Sequence, residues 1–162
     1  MAKSWREQAL AAVDAFRVDP TTLDTPDRRR EAAEALTRTV AGIAGAVALQ
    51  PLPIADFALL MPLQTALVLK LARIYQVPLS WRQGQAIAGV TVTGLLAKRL
   101  VGAVAKLVPV AGTLVSVPVA YGVTWAMGQA AAAHFAAGGS GATVAQAIRR
   151  HLQTAPRPAD QH

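Results

Sequence analysis

Side chains able to do chemistry are few in this chain and lie far apart. Asp56 is the only carboxylate between Glu34 and Asp160. Set in an apolar stretch, it reads as a helix cap that accepts backbone N–H bonds, or else as a buried ion-pair partner or proton-linked group. His134 stands in an alanine-rich stretch with no second histidine four residues on, so a packed or interfacial imidazole is expected and a metal site is not. The basic residues of the apolar region are Arg38, Lys70, Arg73, Arg82, Lys98, Arg99 and Lys106. They occur singly or in pairs without interleaved aromatics, a pattern that argues against nucleic acid and suits an anionic membrane surface. Arg28 to Arg30, flanked by Asp27 and Glu31, read as solvated helix surface. The absence of cysteine excludes disulfides, thiolate metal ligands and thiol nucleophiles. Glycine never precedes lysine, and neither H-E-x-x-H nor G-x-S-x-G occurs, so the usual marks of nucleotide, zinc-peptide and serine hydrolysis are missing. A chain with these side chains is expected to act without catalysis and without a cofactor.

The elements that carry these residues are helical. Of 162 residues, 53% are hydrophobic but only 5% aromatic, so the apolar content is chiefly Ala, Val and Leu, which favours helices packed through small side chains. Ser4 with Glu7 has capping-box spacing before an amphipathic helix over about residues 5–17,. Thr25 followed by Pro26 marks the next helix start. That helix begins polar and is wholly apolar after Arg38. A third helix spans roughly 56–76, Ser80 with Gln83 opens a fourth over about 81–107, a fifth follows, and Gly138-Gly-Ser-Gly141 separates it from a short helix over 142–153,. Residues 1–25 form an N-terminal helix and linker, 26–138 the main domain, and 139–162 a short helix with a disordered tail.

The main domain contains a half-hidden duplication. Pro53-Ile-Ala-Asp56 with Pro62 matches Pro109-Val-Ala-Gly112 with Pro118 at an offset of 56 residues, and Gly45-Ala-Val-Ala48 matches Gly102-Ala-Val-Ala105 at 57. The fold class that follows is all-α: two pseudo-repeated apolar helical hairpins whose turns are marked by Pro51, Pro53, Asp56, Pro109 and Gly112.

Charge is distributed unevenly over this pattern. Residues 1–34 hold six basic and seven acidic groups, whereas 35–162 hold ten basic groups against Asp56 and Asp160 alone. Leu107 to Met127 exceeds the roughly 20 apolar residues needed to cross a bilayer, so transmembrane helices are expected. Lys106 beside the second turn, with Lys98 and Arg99 close by, costs about 2.5–3.5 kcal/mol per charge at bilayer depth, which keeps peripheral and soluble forms open. Gly122, Ala126 and Ala130, and Gly128, Ala132 and Ala136, form two small-residue rows suited to close helix contact. Tyr75, Trp81, Tyr121 and Trp125 are candidates for interfacial belts or for core packing. The N-terminus lacks the apolar run of a secretory signal, so a cytoplasmic N-terminus is expected.

The stretch Ala44 to Gln64, with Leu71-Ala-Arg-Ile-Tyr75 and Lys106-Leu-Val-Pro-Val-Ala-Gly112, resembles the bacterial domain-of-unknown-function family 697. The likeness covers roughly residues 30–138, and its most specific part is the P-x-P-x-A-D turn with the later I-Y pair. Where that family commonly has Gly after I-Y, this chain has Gln76. The resemblance implies a helical module of the bacterial cytoplasmic membrane that works as an anchor or adaptor with a separately encoded Ras-like GTPase. The partners it implies are lipid and a GTPase. A homo-oligomer acting as a pore or remodelling the membrane, and a soluble bundle that shelters a lipid, are the alternatives.

Overall fold

The computed structural model describes residues 19–48, 55–89 and 112–154, and every regular element among them is helical. A short 3-10 turn, Pro20–Thr22, leads into α1 (Pro26–Val47), α2 (Ala55–Ile74), α3 (81–89), α4 (Gly112–Ala136) and α5 (Val144–Thr154).

Two helix starts follow the local chemistry of the chain. The Thr25 hydroxyl accepts the Arg28 backbone N–H at 3.3 Å with Pro26 in the first turn, which satisfies one free donor where proline has none to lose. At α3 the capping box closes in both directions: the Ser80 N–H donates to Gln83 Oε1 at 2.8 Å and the Gln83 N–H donates to Ser80 Oγ at 3.4 Å,.

The ends of α2 and α4 are a matched pair. Val77 N–H donates to the Ala72 carbonyl at 2.8 Å and Gln76 N–H to the Arg73 carbonyl at 3.1 Å; Gly139 and Gly138 make the same bonds to His134 and Phe135 at 2.9 and 3.0 Å. Both are Schellman ends, which require a left-handed residue. Gly138 supplies it with φ 79° and Gln76 with φ 58°. The third helix therefore stops at Ile74 rather than 76, because Gln76 turns the chain in a conformation that costs a residue with a Cβ about 1–2 kcal/mol.

Packing brings the described helices together around one core. On α1, Ala33, Leu36, Val40, Ala44 and Val47 recur every three or four residues and are buried, the spacing that puts them on one face. The first four of these meet Leu63, Leu67 and Leu71 of α2 and Met127, Ala131 and Phe135 of α4 in one core, which Ile87 of α3 and Val144 and Ile148 of α5 also enter. Among the described elements, the most extensive helix pairing is α1 with α4. At that crossing Gly128 faces the Thr37 methyl, with space for no side chain.

The expectation of transmembrane helices needs correcting for these segments. Among the described residues, no helix is long and apolar enough to cross a membrane. Helix α4 has the length, 25 residues, but Pro118, Tyr121, Thr124, Gln129 and His134 interrupt it, and much of the remainder is alanine and glycine rather than larger aliphatics. Pro51, Pro53 and Pro109, the N-terminal helix over 5–17, the later part of the fourth helix and the tail lie outside the described residues.

Candidate functional site

Long-range contacts fix how the helices stand beside one another. Gln64 Nε2 donates to Thr124 Oγ1 at 3.2 Å, so residue 64 of α2 lies level with 124 of α4. Thr37 lies against Gly128 and Gly45 against Val117 and Tyr121, so α1 runs antiparallel to α4. Gly84 lies against Leu69 and Thr65, and Gly89 against Met61, so α3 runs antiparallel to α2. In this register Arg38, Lys70 and Arg82 fall within about one helical turn of each other along the bundle. Beyond that level, towards Val47, Ala55, residue 89 and Gly112, Asp56 is the only charged residue in the described segments. Among the described residues, one end of the bundle is therefore charged and the other apolar.

The apolar end carries hydrophobic groups on its outside. Pro118, Tyr121 and Gly122 of α4 are exposed, Val117, Val119, Val123 and Trp125 half-buried, and Gly42 and Ala46 of α1 exposed. Tyr121 and Trp125 stack with ring centroids 6.3 Å apart and planes 7° from parallel. A helix of a soluble bundle normally turns a polar stripe outward; among the described side chains of α4, the exposed ones form none.

At the charged end, acidic and basic groups are sorted as well. Asp19, Asp24, Asp27, Glu31 and Glu34 all belong to α1 or its lead-in, where Arg38 pairs with Glu34 at 2.7 Å and Arg28 with Asp24 at 3.6 Å. Arg29 is half-buried and donates to the Leu23 carbonyl at 2.9 Å, whereas Arg28 and Arg30 are the solvated residues the sequence suggests. The Thr21 hydroxyl and backbone N–H, at 2.6 and 3.0 Å, hold the Asp19 carboxyl below its ordinary value, because both bonds favour the charged form. Burial raises the Tyr75 phenol against the opposing pull of Arg30 and Arg29.

His134 has a structural task. Its Nε2 lies 3.1 Å from the Ser140 carbonyl and 3.0 Å from Thr143 Oγ1, and its ring lies against Gly139, so it ties the 138–143 loop to α4. Among the described residues no three His, Cys, Asp or Glu side chains converge as metal ligands would. The expected surface cations divide as follows: Arg38, Arg73 and Arg82 are exposed, Lys70 is half-buried, and Lys98, Arg99 and Lys106 lie outside the described residues. Of the turn residues, Gly112 opens α4 and Asp56 falls in the first turn of α2, one residue inside the helix rather than before it. Sequence reasoning missed a buried polar layer. Thr37, Gln64, Thr65 and Thr124 are at most 2% exposed, and Gln64 Oε1 and Thr37 Oγ1 lack a hydrogen-bond partner. The signal was an uncharged polar residue recurring on otherwise apolar helices.

Among the described residues the arrangement is an all-α bundle polarised end to end, with Arg38, Lys70 and Arg82 at the boundary. The chain belongs to the family described as Domain of unknown function (DUF697), which matches residues 22–160. Comparison with curated proteins and with solved structures gave no match.

Proposed function

We propose that this chain is a non-catalytic membrane-associated module, with the apolar end of the bundle held in lipid and the charged end in water. The observation that carries this reading is the separation of charge along the described helices, together with an α4 whose exposed described residues, Pro118, Tyr121, Gly122, Ala133 and Ala136, carry no charge. Such a surface is shielded by lipid or by protein. Insertion from one side, with Arg38, Lys70 and Arg82 at headgroup level, fits the described helices, none of which is long and apolar enough to cross,.

The charged end then remains free to hold a partner, and the resemblance noted above makes a GTPase domain the partner to test, with the module as its anchor or adaptor on the cytoplasmic membrane. Flotation of purified protein with phospholipid vesicles tests the membrane reading: the protein rises with the vesicles if it is right and stays at the bottom of the gradient if it is wrong. Release by carbonate separates peripheral from integral attachment. Leakage or tubulation of the same vesicles would instead support a pore-forming or remodelling oligomer.

A further inference from the structure

The corner between α2 and α3 differs from the rest of the charged end. Arg73 in the last turn of α2 and Arg82 in the first turn of α3 stand on either side of the connecting segment, and both are exposed. Trp81 between them is 51% exposed, the most exposed large hydrophobic side chain among the described residues. Glu34 is the last acidic residue before Asp56, and neither arginine forms an ion pair among the described residues. The α1 side carries all five described acidic side chains and pairs two of its arginines. Among the described residues, the α2–α3 corner alone thus combines uncompensated positive charge with an open indole, and it lies at the level where the charged part of the bundle ends.

Resting on the membrane reading above, we propose that this corner is the headgroup contact of the module and selects anionic phospholipid. Tryptophan favours the membrane–water interface, where its ring is buried and its N–H remains wet. Arginine gives charge-assisted bonds to phosphate oxygens, and each cation close to an anionic leaflet strengthens binding about fivefold. The two side chains therefore act differently: Trp81 holds the corner on any phospholipid surface, and Arg73 with Arg82 adds the preference for negative charge.

The test is flotation of the full chain with phosphatidylcholine vesicles and with vesicles that also contain phosphatidylglycerol, at low and high salt. The wild-type chain binds both and prefers the anionic vesicles at low salt. Arg73→Gln with Arg82→Gln loses about 25-fold on anionic vesicles, from two fivefold steps, and is unchanged on neutral ones. The Lys pair, R73K with R82K, keeps the preference, and Arg149→Gln with Arg150→Gln, which removes the same charge from α5, leaves it in place. Trp81→Ala weakens binding to both vesicle types by the same factor. Equal binding of wild type to neutral and anionic vesicles, or an unchanged preference in the double glutamine variant, overturns the headgroup proposal while leaving membrane association standing. Failure to bind any vesicle overturns the membrane reading itself.

Discussion

Replacing Gly128 by alanine tests the crossing on which the bundle depends. A Cβ at residue 128 would lie 2.8 Å from Thr37 Oγ1 and 3.1 Å from Thr37 Cβ, and closer still to the methyl. Nonbonded carbons prefer about 3.5–4.0 Å, and Thr37 is fully buried, so α1 and α4 must part by roughly half an ångström or more. Overpacking of this kind costs about 1–3 kcal/mol, and the better helix propensity of alanine returns about 1 kcal/mol. The expected net loss is up to about 2 kcal/mol, a fall in Tm of up to about 6 °C for a chain of this size. Gly122→Ala is the internal control. It lies on the same helix with nothing within 4 Å of its would-be Cβ, so propensity alone acts and Tm rises by about 2–4 °C. Thermal unfolding followed by circular dichroism in one mild detergent gives both numbers. Thr37→Ser, which removes the methyl, should rescue Gly128→Ala beyond additivity. If both glycine variants shift Tm in the same direction by similar amounts, the α1–α4 packing described here is wrong.

Three further outcomes follow from particular residues. Gln76→Gly removes the Cβ from a left-handed residue and should stabilise by about 1 kcal/mol, read as a rise in Tm; a fall would mean that this position is not left-handed. Gln64→Glu places a carboxyl at a site 2% exposed, where burial raises its pKa, so stability should be near that of wild type at low pH and decline as pH climbs from about 4; a pH-independent variant would place residue 64 in water. The Tyr75 phenol titrates above its unfolded value, so the folded state holds that proton longer and stability should fall once pH passes about 10. Tyr75→Phe should flatten that limb, as measured by denaturant titration across the alkaline range.

What could be read from the sequence was local chemistry. Thr25 before Pro26, Ser80 with Gln83 and the glycines after Phe135 set their own hydrogen bonds within a few residues, and each marks a helix boundary in the structure. The all-α class followed from the same signals. The left-handed Gln76 was hidden because its residue type argues against the conformation, and only the comparison with a glycine at that position gave a hint. The pairing of Thr37 with Gly128, and of Gln64 with Thr124, joins residues 60 or more positions apart. Helical periodicity shows which face of a helix is apolar but not which helix it meets, so the axial register could not be read. Without that register, Arg38, Lys70 and Arg82 were separate cations rather than one boundary. The apolar run through α4 was visible, but its length alone overstated its capacity to cross a bilayer.

The chain has no cysteine, so single labels can report where each end of the bundle sits. Nitroxides at Gly42→Cys and Gly122→Cys, both exposed glycines of the apolar end with nothing within 4 Å, and at Gln146→Cys, exposed on α5, should be compared on vesicle-bound protein by power-saturation electron paramagnetic resonance. With the apolar end in lipid, the first two relax with dissolved oxygen and are hidden from a water-soluble nickel chelate, while the third responds to the chelate. Equal access of the chelate to all three positions would contradict that placement.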